Sequence, residues 1–447
     1  MNAATLGWPG IVRLGLVQTA LGAIVVLTTS TMNRVMVVEL ALPAMLPGAL
    51  VAFHNVLQML RPRMGHGSDV GGRRTPWIVG GMAVLAAGGV LAALAIAWMQ
   101  SQPAAGIALA ILAFGLIGLG SGAAGTGLLV LLAKCVAPER RAAAATTTWV
   151  MMICGFIVTT AVVGQVLDPY TPARLVTITA VVGVLAVAVT LVAVWGVERD
   201  LHVTQAPVPA GARPRFMPAL REVLAERETR RFTLFIFASM LAYSMQDLIL
   251  EPYAGLVFGF TPGQSTALAS VQHGGVLAGM IALAVGASVI GGRWLGPLRH
   301  WIVGGCLASA AALLAIAAGA AAGPGWPLRE VVFALGFGNG AFAIAAIAAM
   351  MSLASQGTPG REGLRMGLWG GTQAVAFALG GFAGAAASDA MRWLLGSVEL
   401  GYGSVFLFEA GLFLWAAWLA AHVALPRPRD RRKTLVAAGG YAAAGGE

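Results

Sequence analysis

Apolar residues in this chain neither alternate with polar ones nor keep to one helical stripe. They run on in blocks of about twenty, broken by short polar connections. Blocks of that length match a helix crossing the hydrocarbon core of a bilayer. Twelve can be placed, at about 11–32, 42–60, 76–99, 104–133, 144–167, 174–196, 232–257, 266–290, 299–321, 329–352, 365–388 and 403–425. Lipid offers an open backbone no hydrogen-bonding partner, so only helices or a closed barrel can span it, and the missing period of two excludes the barrel. The pattern predicts an all-α membrane protein with twelve transmembrane helices.

The polar positions split this row into two sets of six. The longest polar stretch, 198–231, has a Pro- and Ala-rich segment from Ala206 to Pro214 and a charged run that suits a short surface helix from Met217 to Glu228. We read it as a cytoplasmic linker between an N-terminal half (1–197) and a C-terminal half (232–447) ending in a basic tail. The halves repeat each other. Trp77-Ile78-Val79-Gly80-Gly81 opens the third span and Trp301-Ile302-Val303-Gly304-Gly305 the ninth; Gly120-Ser121-Gly122 matches Gly338-Asn339-Gly340, and Asp168 matches Asp389, at offsets of 218 to 224 residues. Two pseudo-symmetric six-helix halves related by an axis along the membrane normal are expected from such a parallel repeat.

Composition agrees with the pattern: 58% hydrophobic residues, 10% charged and a mean hydropathy of +0.82 exclude a soluble globular protein. The net charge of +10 gains a meaning once the spans are drawn. With a cytoplasmic N-terminus, 24 of the 28 Lys and Arg fall on the cytoplasmic side, leaving Arg34, Arg174, Arg329 and Arg392 opposite. Both termini are therefore expected in the cytoplasm, and the spread of charge over membrane loops removes the nucleic-acid reading of a high pI. Met1 to Gly10 has no basic n-region or cleavage site, so the first span is expected to be its own insertion signal. Cys135, Cys154 and Cys306 lack metal-ligand spacing and read as packing residues; no metal site and no catalytic residue is expected.

Polar residues inside spans are expensive and mark candidate sites. Arg34 and Glu39 sit near the outer end of the first span, Asp247 and Glu251 in the seventh. In a two-fold arrangement both spans flank the central cavity, so Arg34 either approaches Asp247 or Glu251 across the pseudo-axis or pairs locally at a helix end. His54 and His273 stand well inside spans beside Asn55 and Gln272. A neutral imidazole there either hydrogen-bonds a neighbouring helix or ligates a metal such as the magnesium of a chlorophyll-type pigment. Glu409, deep in the twelfth span, has no evident counter-charge; it must pair, be protonated or face a partner.

One polar loop carries a motif. Gly65, Asp69, Gly72, Arg73 and Arg74 resemble the loop between the second and third helices of major facilitator superfamily transporters, with Val70 where an Arg is usual. Glycines permit a tight turn, Asp69 suits a helix end, and the arginines hold the turn in the cytoplasm. The marks of proton-driven drug antiporters are missing: the fourth span has no Arg, and the fifth runs from Val150 to Leu167 without a proline.

A more specific resemblance covers both halves. Val17-Gln18-Thr19-Ala20-Leu21-Gly22, Thr29 to Leu40, His54, Arg61 to Trp77, Pro359 to Gly363 and Gly370-Gly371-Thr372-Gln373 together resemble the PucC/LhaA family of purple phototrophic bacteria. That resemblance implies a major facilitator fold in the intracytoplasmic photosynthetic part of the bacterial inner membrane. It implies a non-enzymatic assembly factor for light-harvesting antenna complexes that binds or delivers bacteriochlorophyll. Antenna polypeptides are the expected partners, with the reaction-centre core complex, a pigment synthase and membrane lipid beside them. His54, His273 and Glu409 are the candidate pigment-binding residues. The alternative is a secondary transporter of a small or amphipathic solute whose site lies among Arg34, Asp247, Glu251, His54 and His273.

Overall fold

A computed structural model describes residues 6–60, 74–137, 140–198, 224–288, 298–354 and 362–423. These contain twelve long helices: α1 (Trp8–Glu39), α2 (Met45–Leu57), α3 (Thr75–Met99), α4 (Pro103–Cys135), α5 (Arg141–Val166), α6 (Pro172–Val194), α7 (Arg227–Phe258), α8 (Pro262–Ser288), α9 (Leu298–Ala322), α10 (Leu328–Ala354), α11 (Glu362–Leu395) and α12 (Val398–Ala421). Eleven are long and apolar enough to cross a membrane, so the chain is a multi-pass membrane protein.

The exception is α2, thirteen residues plus a 3-10 turn at Gln58–Leu60 where hydropathy predicts a span over 42–60. Its start is set late by local chemistry. Ala41 takes the left-handed conformation at φ 50°, which turns the chain, and Pro43 then disfavours helix in the residue before it. Conversely, α7 begins at Arg227, inside the stretch read as linker. Most of the surface helix expected over Met217 to Glu228 lies outside the described residues.

Packing within one half is repeated in the other. In the first half α1 lies on α5 and α6, α2 on α4, and α3 on α4 and α6; in the second, α7 lies on α11 and α12, α8 on α10, and α9 on α10 and α12. Each half has its own apolar core, that of the first borrowing only Leu248 from α7.

The repeated glycines explain part of this symmetry. A Cβ placed on Gly81 of α3 would stand 2.6 Å from the Ala124 nitrogen and 2.9 Å from the Gly120 oxygen of α4. A Cβ on Gly305 of α9 would stand 2.7 Å from the Phe342 nitrogen and 2.8 Å from the Gly338 oxygen of α10. The motifs are thus two sides of one backbone-on-backbone crossing, built twice. Lipid supplies no hydrophobic drive between helices, so close van der Waals approach has to hold them.

The halves meet through α2 against α11 and α5 against α8. Every side-chain hydrogen bond found between halves among the described residues lies toward one face, where α1, α5, α7 and α11 end and α2 and α8 begin. There the two halves are tied together.

Candidate functional site

The last part of α1 winds in wide π turns, Leu27–Met32 and Val35–Glu39. A regular helix presents one stripe to a neighbour, but here four of five consecutive residues reach the opposite half. Ser30 donates to the Glu251 carboxylate, Thr31 meets the Thr266 hydroxyl at 3.1 Å, Asn33 donates to the Leu248 carbonyl at 2.7 Å, and Arg34 reaches Ser265 and the Phe260 carbonyl at 3.3 and 2.7 Å.

The Asn33 contact follows from one residue of α7. Pro252 lies inside that helix and has no N–H to give the carbonyl four residues earlier, which is Leu248. A carbonyl released in this way inside a membrane must find another donor, and the buried Asn33 amide supplies it. Asn33, Ser30, Ser265 and Pro252 are site residues that the charged-residue search passes over. The signal was present as a proline within an otherwise unbroken apolar helix.

Arg34 is buried, and its ion-pair partner is Glu39, five residues on, rather than Asp247 or Glu251. The local alternative describes the pairing, while the guanidinium still bridges the halves through Ser265 and Phe260. Gly255 of α7 makes room: a Cβ there would stand 3.0 Å from the Arg34 Nη2. Tyr170, in the connection after α5, borders this pair. Burial pushes its phenol up to about 12, with Glu39 adding to the effect and Arg34 opposing it.

Beyond this layer, toward the other face, α7 and α12 hold polar groups without protein partners. Glu409 is 0% exposed and neither carboxyl oxygen has a hydrogen bond; Gln246 is equally enclosed with both amide atoms unpartnered. Asp247, half-buried, is an electrostatic neighbour of Glu409. Bare polar groups in such surroundings are costly, so this part of the molecule is not explained by packing.

The two histidines differ. His273 is half-buried in α8 where the halves meet, with its ring edge-on to Phe156 of α5 at 4.9 Å. Its Nδ1–H donates to the Ala269 carbonyl at 2.7 Å, which in the neutral ring leaves Nε2 with the lone pair. That is the arrangement of a histidine ligand oriented by its own helix. His54 is buried in α2 at the crossing with α4, where a Cβ on Gly118 would stand 2.6 Å from its carbonyl oxygen. So close a crossing leaves little room for a flat macrocycle. Glu409 is enclosed as well, so an external pigment reaches it only if the bundle opens.

Of the loop motif, Gly65, Asp69, Gly72 and Arg73 lie outside the described residues. Arg74, the last of it, is buried at the start of α3, where Glu198 accepts the N–H groups of Arg74 and Thr75 at 2.6 and 3.1 Å. A carboxylate there caps the helix and complements its dipole.

Comparison with known proteins accords with this architecture. The chain resembles solved transporter structures in fold alone. A bacterial homolog of the human lysosomal transporter Spinster, inward-facing and unoccupied, superposes with a TM-score of 0.69 at 15% identity over 92% of this chain and 95% of that one. The peptide transporter POT in complex with sulfate gives 0.70 at 15% identity over 94% and 96%. Together with the repeated helix contacts, these show a major facilitator fold. In sequence, the chain is 52% identical to the bacteriochlorophyll synthase 44.5 kDa chain of Rhodobacter capsulatus, over 97% of this chain and 99% of that protein. It is 31% identical to protein PucC of Cereibacter sphaeroides over 90% of each. Residues 31–427 match the family model of the PUCC protein, so the chain belongs to the PucC family.

Proposed function

We propose that this protein is an assembly factor for bacterial photosynthetic light-harvesting complexes, one that holds bacteriochlorophyll for transfer to antenna polypeptides. Membership of the family and the pigment-related name of a relative support a photosynthetic role, and the transporter-like fold supports a role without catalysis, the word synthase in that name notwithstanding. His273 is the observation that carries the pigment part. Its Nδ1–H is committed to Ala269, its Nε2 is left as a ligand, and Phe156 walls the ring at the junction between halves. Bacteriochlorophyll, where bound, would supply a magnesium ion that the His273 imidazole would hold. The chain's part is to orient the imidazole and exclude water. The setting would be the intracytoplasmic photosynthetic membrane with both termini cytoplasmic, beside antenna helices and the reaction-centre core.

The second reading, secondary transport of an amphipathic solute, draws on the polar layer between halves and on the unpartnered Gln246 and Glu409. Gentle purification from a phototrophic host, with an absorption spectrum, pigment extraction and mass spectrometry, separates the two. Assembly predicts bacteriochlorophyll and antenna polypeptides in the preparation, and loss of most of that pigment in His273→Ala with His54→Ala much less affected. A colourless, partner-free and monodisperse preparation overturns it in favour of transport.

A further inference from the structure

Asp168 and Asp389, matched by the sequence repeat, do the same thing on opposite sides of the molecule. Asp168 follows the end of α5 in the first half and faces the N-terminus of α8 in the second. It accepts the Gly263 N–H at 3.0 Å and the Thr261 hydroxyl. Asp389 lies near the end of α11 in the second half and accepts the Met45 N–H, the first of α2 in the first half, at 2.8 Å. Each half therefore lends a carboxylate to a helix start of the other. We propose that Asp168 and Asp389 form a pair of pseudo-symmetric latches that hold this face of the bundle shut.

The accounting of helix-end donors supports the assignment. A helix leaves its first N–H groups without intrahelical partners, and its N-terminus attracts negative charge. On α8, Thr261 and Gln264 form a reciprocal capping box, with Thr261 N–H to Gln264 Oε1 at 3.0 Å and Gln264 N–H to Thr261 Oγ1 at 3.1 Å. That box leaves the intervening Gly263 N–H for Asp168. On α2, no side chain of its own half caps the helix. The Leu46 N–H goes to Pro43 O at 3.0 Å, position 47 is a proline with no N–H, and the Met45 N–H is met by Asp389. In both places the donor that local structure leaves over is taken from across the interface.

A second repeat stands behind each aspartate. Four residues earlier come Gly164, in the last turn of α5, and Ala385, one turn before Asp389 on α11. A Cβ on Gly164 would stand 2.9 Å from both the Gly263 oxygen and the Ala267 nitrogen, and one on Gly48 would stand 2.8 Å from the Ala385 Cβ. Small residues bring the helices close enough for the carboxylate one turn on to reach the opposite helix end. Small residue, three others, aspartate: this unit stands at matched positions of the two halves, at an offset of 221 residues.

The latch concerns the opening of the bundle and holds whatever the protein handles. Its test uses the full-length chain in nanodiscs, with Cys135, Cys154 and Cys306 replaced by alanine. Spin labels sit at Ser101→Cys and Gly325→Cys, in the connections after α3 and α9 on the same face. Electron–electron distance measurement should show one narrow population in the parent, at a shorter distance than in the opened variants. Asp168→Ala and Asp389→Ala should each lower the ratio of closed to open molecules about tenfold, and the double variant about a hundredfold, since each removes the charge-assisted contact between halves at a separate place. Should either alanine variant fail to give a monodisperse protein, Asp168→Asn and Asp389→Asn keep the shape and an acceptor oxygen but not the charge, and are expected to shift the ratio in the same direction by less. An unchanged distance distribution in the folded double variant, alanine or asparagine, overturns the proposal, as does a parent already open at this face.

Discussion

The two halves pack their third and fourth helices alike and furnish their first and sixth differently. The crossing of α3 on α4 and that of α9 on α10 use glycine at matched positions, with nearly equal approach distances. The acids do not follow the repeat. α7 carries Asp247 and Glu251 and α12 carries Glu409, whereas the matching stretches of the first half, residues 22–33 of α1 and 185–191 of α6, contain no carboxylate and offer Thr, Ser and Asn instead. A duplicated scaffold retains what both copies need in order to pack. What only one copy carries, at a cost in buried polarity, is where a specific task is best sought.

The scaffold side of this comparison is the easiest to break. Gly81→Leu and Gly305→Leu should each lose about 3 kcal/mol or more, because the new side chain meets backbone that cannot yield. Gly80→Ala and Gly304→Ala, where a Cβ would meet nothing within 4 Å, should stay within about 0.5 kcal/mol of the parent. Thermal unfolding in detergent compares all four, and tolerance of Gly81→Leu beside intolerance of Gly305→Leu would show that the halves are not packed alike.

The junction comes next. Asn33→Leu strands the Leu248 carbonyl and should cost about 1–3 kcal/mol. Pro252→Ala restores an N–H for that carbonyl, so adding it to Asn33→Leu should recover most of the loss. Unfolding of the two single variants and the double closes the cycle; equal, additive losses would mean that the amide and the proline are not linked.

The smallest effect on stability is expected where the halves differ most. Glu409→Leu removes a bare carboxyl from an enclosed position and should be neutral or stabilising by about 1 kcal/mol, since an apolar replacement for an unpaired buried group is often tolerated. On the proposed assembly role, a folded Glu409→Leu protein that fails to maintain antenna levels when expressed in a phototrophic bacterium would assign Glu409 a task beyond packing. Unchanged antenna levels would make it an inert remnant.

Twelve apolar blocks, a six-plus-six repeat and the positive charge of one side could be read without coordinates, because lipid imposes helix length, helix content and charge asymmetry on any spanning chain. Glu409 and Asp247 also stood out, since a charge within an apolar block is conspicuous alone. The partner of Arg34 did not. Glu39, Asp247 and Glu251 were all available to it, and the wide turns of α1 with the space over Gly255 settled on Glu39. Asn33 was overlooked because its importance lies in a carbonyl 215 residues away.

The matched aspartates make the same division. That Asp168 and Asp389 correspond was visible in the chain, since a repeat is a property of residue order. That each serves a helix of the other half was not, because residue order does not say which face two packed halves close. Only tertiary structure, by bringing the N-terminal donors of α2 and α8 within reach of carboxylates on α11 and at the end of α5, turned a repeat into a contact.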